Sequence, residues 1–123
     1  MSKPKRKKPF NAKKASMNGL EKEGWTCWDV ESRIPHTFIT RDCFGFADIL
    51  AMSPTRGRLF VQATAGATSS NLHAHIRKIK AEPRHAIALA SGFRIQVHHW
   101  QVQRGLKERL CHTVEITALE TQP

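Results

Sequence analysis

The sequence contains no tyrosine, which leaves no tyrosyl nucleophile for strand-transfer chemistry. Its three cysteines, Cys27, Cys43 and Cys111, are odd in number, far apart and in no CxxC pair, so neither a disulfide framework nor a zinc ribbon is indicated. No HExxH or His/Cys spacing marks a zinc site, and no Gly-rich phosphate loop or GxSxG elbow is present. Apolar runs stop well short of the roughly 20 residues a membrane span needs, and the first residues lack the apolar segment of a secretory signal. The expectation is therefore a cytoplasmic protein, or a nuclear one in a eukaryotic host, with no membrane partner.

Acids are scarce as well: 10 Asp and Glu stand against 20 Lys and Arg, a net charge of +10. The excess is uneven. Residues 1–14 hold Lys3, Lys5, Arg6, Lys7, Lys8, Lys13 and Lys14 and no acid, too little apolar surface to order themselves, so residues 1–15 are expected to form a flexible basic tail. Such a tail binds phosphate backbones through counterion release without reading sequence, which makes Lys5, Arg6, Lys7 and Lys8 candidate nucleic-acid contacts. "PKRKK" also reads as a nuclear address. Between residues 49 and 107 nine basic residues face one acid, Glu82. Arg56, Arg58, Arg77 and Arg84 are the candidate phosphate contacts of that stretch, and Trp100 and Phe93 either stack on unpaired bases or fill the core.

What remains, residues 16–123, reads as one α/β domain. "ASMNGLEKEGW" predicts a short helix with Ser16 as a candidate cap and Gly24 as its stop. "WTCWDVESRI" predicts a first strand ended by Pro35. "FGFADILAM" and "RLFVQATA" flank the turn "SPTRG" and predict a hairpin, with Gly45 marking a bulge or a close backbone approach. "NLHAHIRKIKAE" predicts a helix capped by Ser69 or Ser70, with Leu72, Ile76 and Ile79 on one stripe and Pro83 at its end. A short helix over "PRHAIALASG" and a second hairpin turning at "RG" complete a mixed β-sheet flanked by helices.

The hairpin carries the chemistry. Side chains two apart on a strand share a face, so Gln62 and Thr64 point the same way, and strand pairing around "SPTRG" brings Asp48 near Gln62. A carboxylate, an amide oxygen and a backbone carbonyl, completed by waters, suit a hard cation such as Mg²⁺ or Mn²⁺. The histidines offer little: His73 and His75 are two apart on a predicted helix, and His98 and His99 point to opposite faces of a strand.

Asp48 in an apolar strand, a turn, and an apolar strand bearing two polar residues one apart resemble the signature of the PD-(D/E)xK nuclease superfamily. "TRDCFGFADILAM", "LFVQATA", "IRKIKAEP" and "FRIQVHHWQV" are similar to a group of small bacterial and phage proteins resembling Holliday-junction resolvases, over roughly residues 20–104. The resemblance implies a restriction-endonuclease-like core and a nucleoid-associated or phage-encoded protein. It matches Asp48 to the metal-ligating aspartate, Gln62 to the second acid and Thr64 to the lysine, two departures from the pattern. Superfamily members supply that lysine from the next helix, where "RKIK" offers Lys78 and Lys80; with Leu72, Ile76 and Ile79 buried, Lys78 lies nearer the buried edge. Glu31 is a candidate third ligand or a solvated strand-edge residue, and Asp42 a further candidate or half of a loop ion pair with Arg41 or Arg33.

Three functions follow as expectations: a Mg²⁺- or Mn²⁺-dependent endonuclease, with DNA as first partner and RNA as second; a nuclease-fold nucleic-acid-binding module that no longer cleaves; or a structural protein associated with nucleic acid. Symmetric cutting of a junction would require a homodimer.

Overall fold

The computed structural model describes residues 9–103 and 105–118. Ten elements follow in order: helix α1 (Ala12–Lys22), strands β1 (Thr26–Asp29), β2 (Ser32–Arg33), β3 (Thr40–Arg41), β4 (Ile49–Ser53) and β5 (Gly57–Gly66), helices α2 (Ser70–Ala81) and α3 (Arg84–Ala90), and strands β6 (Phe93–Gln101) and β7 (Arg109–Ile116). Five strands form one sheet in the order β1-β4-β5-β6-β7, and β2 and β3 make a separate two-stranded ribbon. All neighbours in the large sheet are antiparallel except β5 and β6. A parallel pair needs a crossover connection, and α2 and α3 supply it.

Strand periodicity sorts the core into two halves. Leu59 and Val61 of β5, with Ile49 and Ala51 of β4, pack on Leu20 of α1 and on Trp25. Phe60, with Ile95 and Val97 of β6, packs on Leu72 and Ile79 of α2 and Ala88 of α3. The central strand is thus covered on both faces, α1 on one side and the α2–α3 crossover on the other, which is the α/β architecture expected.

Several local expectations are corrected. The helix α1 opens at Ala12 with Asn11 as its cap, whose side chain accepts from the Lys14 N–H, so residues 12–15 are helical and the remainder of the basic tail, 1–8, lies outside the described residues. Ser16 does not cap: it is buried inside the helix. The predicted first strand is split, because its second half leaves the sheet and pairs with β3 instead. Ser69 occupies the cap position of α2 without a side-chain hydrogen bond. The strands of the second hairpin end at Gln101 and begin again at Arg109, farther apart than a tight "RG" turn allows, and Arg104 of that turn lies outside the described residues.

On the α1 side the sheet buries a polar chain. Trp100 Nε1 donates to Ser16 Oγ at 2.8 Å, and His98 Nδ1 lies 3.1 Å from the same oxygen. Gln96 Nε2 donates to Glu115 Oε1, so the oxygen of that amide faces His98 Nε2 at 3.0 Å and accepts from it. The neutral ring then carries its proton on Nε2, and Nδ1 accepts from the Ser16 hydroxyl, whose oxygen accepts from Trp100. Burial pushes the His98 imidazole down to about 4 from 6.5. The folded state therefore holds fewer protons than the unfolded chain between those values, and stability from this group is full above about pH 6.5 and lost as pH falls through about 4.

Ser16→Ala leaves Trp100 and His98 unpaired in the interior and should cost about 1–3 kcal/mol, read from urea denaturation followed by far-UV circular dichroism. A change within about 0.5 kcal/mol would show that this network contributes nothing to the docking of α1.

Candidate functional site

Asp48 stands immediately before β4, at the crossing of three strands. Its N–H donates to Val61 O at 3.0 Å and its carbonyl accepts from Val30 N at 3.1 Å. One step beyond the Ile49↔Val61 pair of the hairpin, Asp48 comes opposite Gln62. The carboxylate is only 4% exposed, and its Oδ1 accepts from the Ala63 N–H at 3.2 Å.

The segment before it is a tight reversal. Cys43 and Ala47 pair as an isolated bridge, Gly45 N donates to Asp42 O, and Phe44 and Gly45 have φ of 53° and 77°. Gly45 is required there: besides its positive φ, an added Cβ would stand 3.1 Å from the side chains of Glu82 and Arg84. The reversal folds Asp42 back toward β5. Gln62 is surrounded by acceptors, so its amide nitrogen faces them, donating to Asp42 Oδ2 at 3.0 Å and to Phe46 O at 2.6 Å. Asp42 Oδ2 also receives Lys78 Nζ of α2 at 3.3 Å, in place of the pair with Arg41 or Arg33 weighed from sequence.

An open hollow of about 660 Å³ is bordered by Glu31, Thr40, Arg41, Asp42, Gln62, His75, Lys78 and Arg84, and Asp48 is not on its lining. Glu31 is held by Lys13 Nζ at 3.0 Å, which also reaches Asp29 at 2.9 Å. Lys78 borders the hollow and Lys80, also exposed, does not. Thr64, at the position that the nuclease signature gives to lysine, is buried opposite His99. Asp42 and His75 are the members that sequence reasoning undervalued. His75 and Lys78 are three apart on one helix and share a face, which was a usable signal; the return of Asp42 depended on a turn that periodicity does not encode.

No family model, curated protein or solved structure matches the chain.

Burial raises the Asp48 carboxyl from 3.8 to about 7, against the Ala63 hydrogen bond, and the negative charges of Asp42 and Glu31 push it further. Burial, with the Lys78 charge beside it, lowers the His75 imidazole. Among the described residues no three His, Cys, Asp or Glu side chains form a group that could hold a metal on their own. The donor set instead fits a hard cation that takes one or two carboxylates and fills its remaining positions with water and substrate phosphate. Asp48, opposite Gln62, and Asp42, bonded to it, are the two carboxylates that could serve such an ion.

The phosphate contacts expected from sequence do not share one face. Arg56 lies over the Trp25 ring and donates to Glu23 O, and Arg58 lies over Phe93 and donates to Ser91 O at 3.0 Å. Both lie by the hairpin turn, at the start of β5, whereas Gln62 stands mid-strand. Arg84 borders the hollow, tied to Glu82 at 2.8 Å, and Arg77 is exposed on α2. Phe93 stacks on Phe60, and Trp100 packs on Phe10 while bonded to Ser16, so both aromatics serve the interior rather than a base.

The raised Asp48 binds a proton in the folded state that the unfolded chain has released, so between about pH 4 and 7 its contribution to stability falls as pH rises. The His98 contribution runs the other way over about pH 4 to 6.5, and the two offset each other. Asp48→Asn, which keeps an acceptor for Ala63, should stabilise the protein by up to about 4 kcal/mol at pH 8 and by nothing below about pH 4. It should also steepen the acid limb left to His98. Thermal melts across pH 4–8 check this; parallel curves for the two proteins would refute it.

Proposed function

We propose that the chain is a divalent-cation-dependent endonuclease of the PD-(D/E)xK type, similar to the small resolvase-like group, acting on DNA in the first instance and on RNA as the alternative. The observation that carries this reading is the water-excluded Asp48 carboxylate, on which two further carboxylates and, more weakly, Lys13 act and to which no cationic side chain among the described residues is bonded. An acid kept in that position costs stability unless a positive charge joins it. The element order, a helix, a three-stranded meander with the acid immediately before its second strand, two helices and a parallel strand, supports the same reading.

Mg²⁺ or Mn²⁺ bound there would polarise a phosphoryl oxygen and lower the pKa of an attacking water. Asp48 and Asp42 would hold the ion, Glu31 would take the third place, and Gln62 would contribute its oxygen once its amide is turned over. Lys78, now bonded to Asp42, would be freed as the ion takes over that carboxylate and would meet the charge developing on phosphate. Lys80 and Arg77, on the same helix, would grip flanking phosphates. The basic residues Lys5, Arg6, Lys7 and Lys8 would add sequence-independent, salt-sensitive affinity.

A second reading, a nuclease-fold module that binds nucleic acid without cutting it, is favoured by the uncharged Gln62 and by Thr64 in place of lysine. The test separates the two. Labelled four-way junction, duplex and single-stranded DNA and RNA are incubated with Mg²⁺, Mn²⁺ or chelator, with wild type and Asp48→Asn compared for cutting and for gel shift. The nuclease predicts metal-dependent cleavage reduced about 100-fold or more by Asp48→Asn, with binding retained. Salt-sensitive binding without cutting in any metal would assign the second reading, and absence of both would refute the two together.

A further inference from the structure

We propose that the tip of the β2–β3 ribbon, Phe38 with Ile39, is a nucleic-acid wedge that inserts where bases are unstacked or unpaired. The inference rests on the nucleic-acid partner proposed above and adds a preference for broken or branched helices.

The ribbon stands apart from the main sheet, joined to it by the chain on either side. Ser32 pairs with Arg41 and Arg33 with Thr40. Its tip is braced. Ile34 N donates to Ile39 O at 2.9 Å, Thr37 N and Oγ1 both donate to Ile34 O, and Ile39 N donates to Thr37 Oγ1. Arg33 Nε closes the turn on Thr37 O at 3.0 Å, and His36 takes a positive φ of 62° at the apex. A turn so bonded holds its side chains out at a set angle, and Phe38 is 95% and Ile39 59% exposed.

One exposed apolar residue is ordinary on a protein surface. Two adjacent ones on a braced projection, with only the Arg33 guanidinium lying over the Phe38 ring among the described residues, are different. The Arg33 guanidinium lies 5.3 Å from the Phe38 ring centre. Across residues 32–41 there are Arg33, Arg41 and His36 and no carboxylate. An apolar wedge flanked by arginines matches the space between two bases flanked by phosphates: insertion buries the ring against base faces while the guanidinium groups meet the backbone. Position supports the same partner, because Thr40 and Arg41 of the ribbon also border the hollow that contains Asp42, Gln62 and Lys78. A strand parted at the ribbon would leave its phosphates beside those residues.

The experiment measures affinity by fluorescence anisotropy for a labelled 30-base-pair duplex, the same duplex with an unpaired flap, and a single strand, in chelator so that nothing is cut. Wild type, Phe38→Ala and Phe38→Trp are compared. The wedge predicts that Phe38→Ala weakens flap and single-strand binding about tenfold, leaves the intact duplex within about twofold, and that Phe38→Trp restores the loss. Equal affinities for wild type and Phe38→Ala, or an equal loss on all three, would overturn it, as would failure of the wild type to bind any of them. If sedimentation at matched concentrations shows that Phe38→Ala changes the oligomeric state, the tip serves a second copy of this chain and the wedge is refuted. The readout contains no cleavage step, so its failure is separate from that of the Asp48 assignment.

Discussion

The site depends on β5 being buried on both faces while flanked by an antiparallel partner on one edge and a parallel partner on the other. Burial on both faces dictates its composition: Leu59, Phe60 and Val61 are all enclosed, so nothing on this stretch marks which face is which. The parallel edge with β6 demands a crossover, and the crossover brings α2 down over the face of the strand that carries Gln62. The antiparallel edge with β4 brings Asp48 to the same place from the other side. Two connections of opposite type, meeting on one strand, put an acid, an amide and a helix-borne lysine within reach of one another without any of the three being near in sequence.

The parts of this arrangement that were legible in sequence are those governed by local rules. "SPTRG" between two apolar runs specifies a hairpin because proline and glycine set the turn, and that hairpin alone brings Asp48 opposite Gln62. The stripe of Leu72, Ile76 and Ile79 sets the face of α2 and hence the side on which Lys78 emerges. What was not legible turned on conformations that no periodicity carries. The reversal at 43–47 uses positive φ at Phe44, where a side chain is usually disfavoured, so a bulge at Gly45 alone does not bring Asp42 back to Gln62. The parting of Glu31 and Ser32 from the main sheet follows from β2 choosing β3 over a longer pairing with β4, a competition between two registers that composition does not decide. The cap of α1 was missed because Asn11 sits within the basic run assigned to a tail.

Charge explains the economy of the site. In a chain with twice as many basic as acidic residues, Asp42, Asp48 and Glu31 are nonetheless gathered at one place. Two of them are answered by lysines, Glu31 by Lys13 and Asp42 by Lys78, and Asp48 by a backbone N–H alone. Lys78 is 54% exposed, so its pair with Asp42 is an exchangeable one of small net worth. Such a pair is easily given up when a stronger charge arrives, whereas Asp48, shut away from water, has no route to neutrality except a proton or a cation.

Gln62 fits that economy better than an acid would. A glutamate there would add a third negative charge between Asp42 and Asp48 and raise the already perturbed Asp48 further. The amide instead gives Asp42 and the Phe46 carbonyl a donor, fixing the 43–47 reversal at the cost of one charge for a cation. On the endonuclease reading, such a site would hold a cation less tightly than a full set of acids would, and substrate phosphate would complete its coordination.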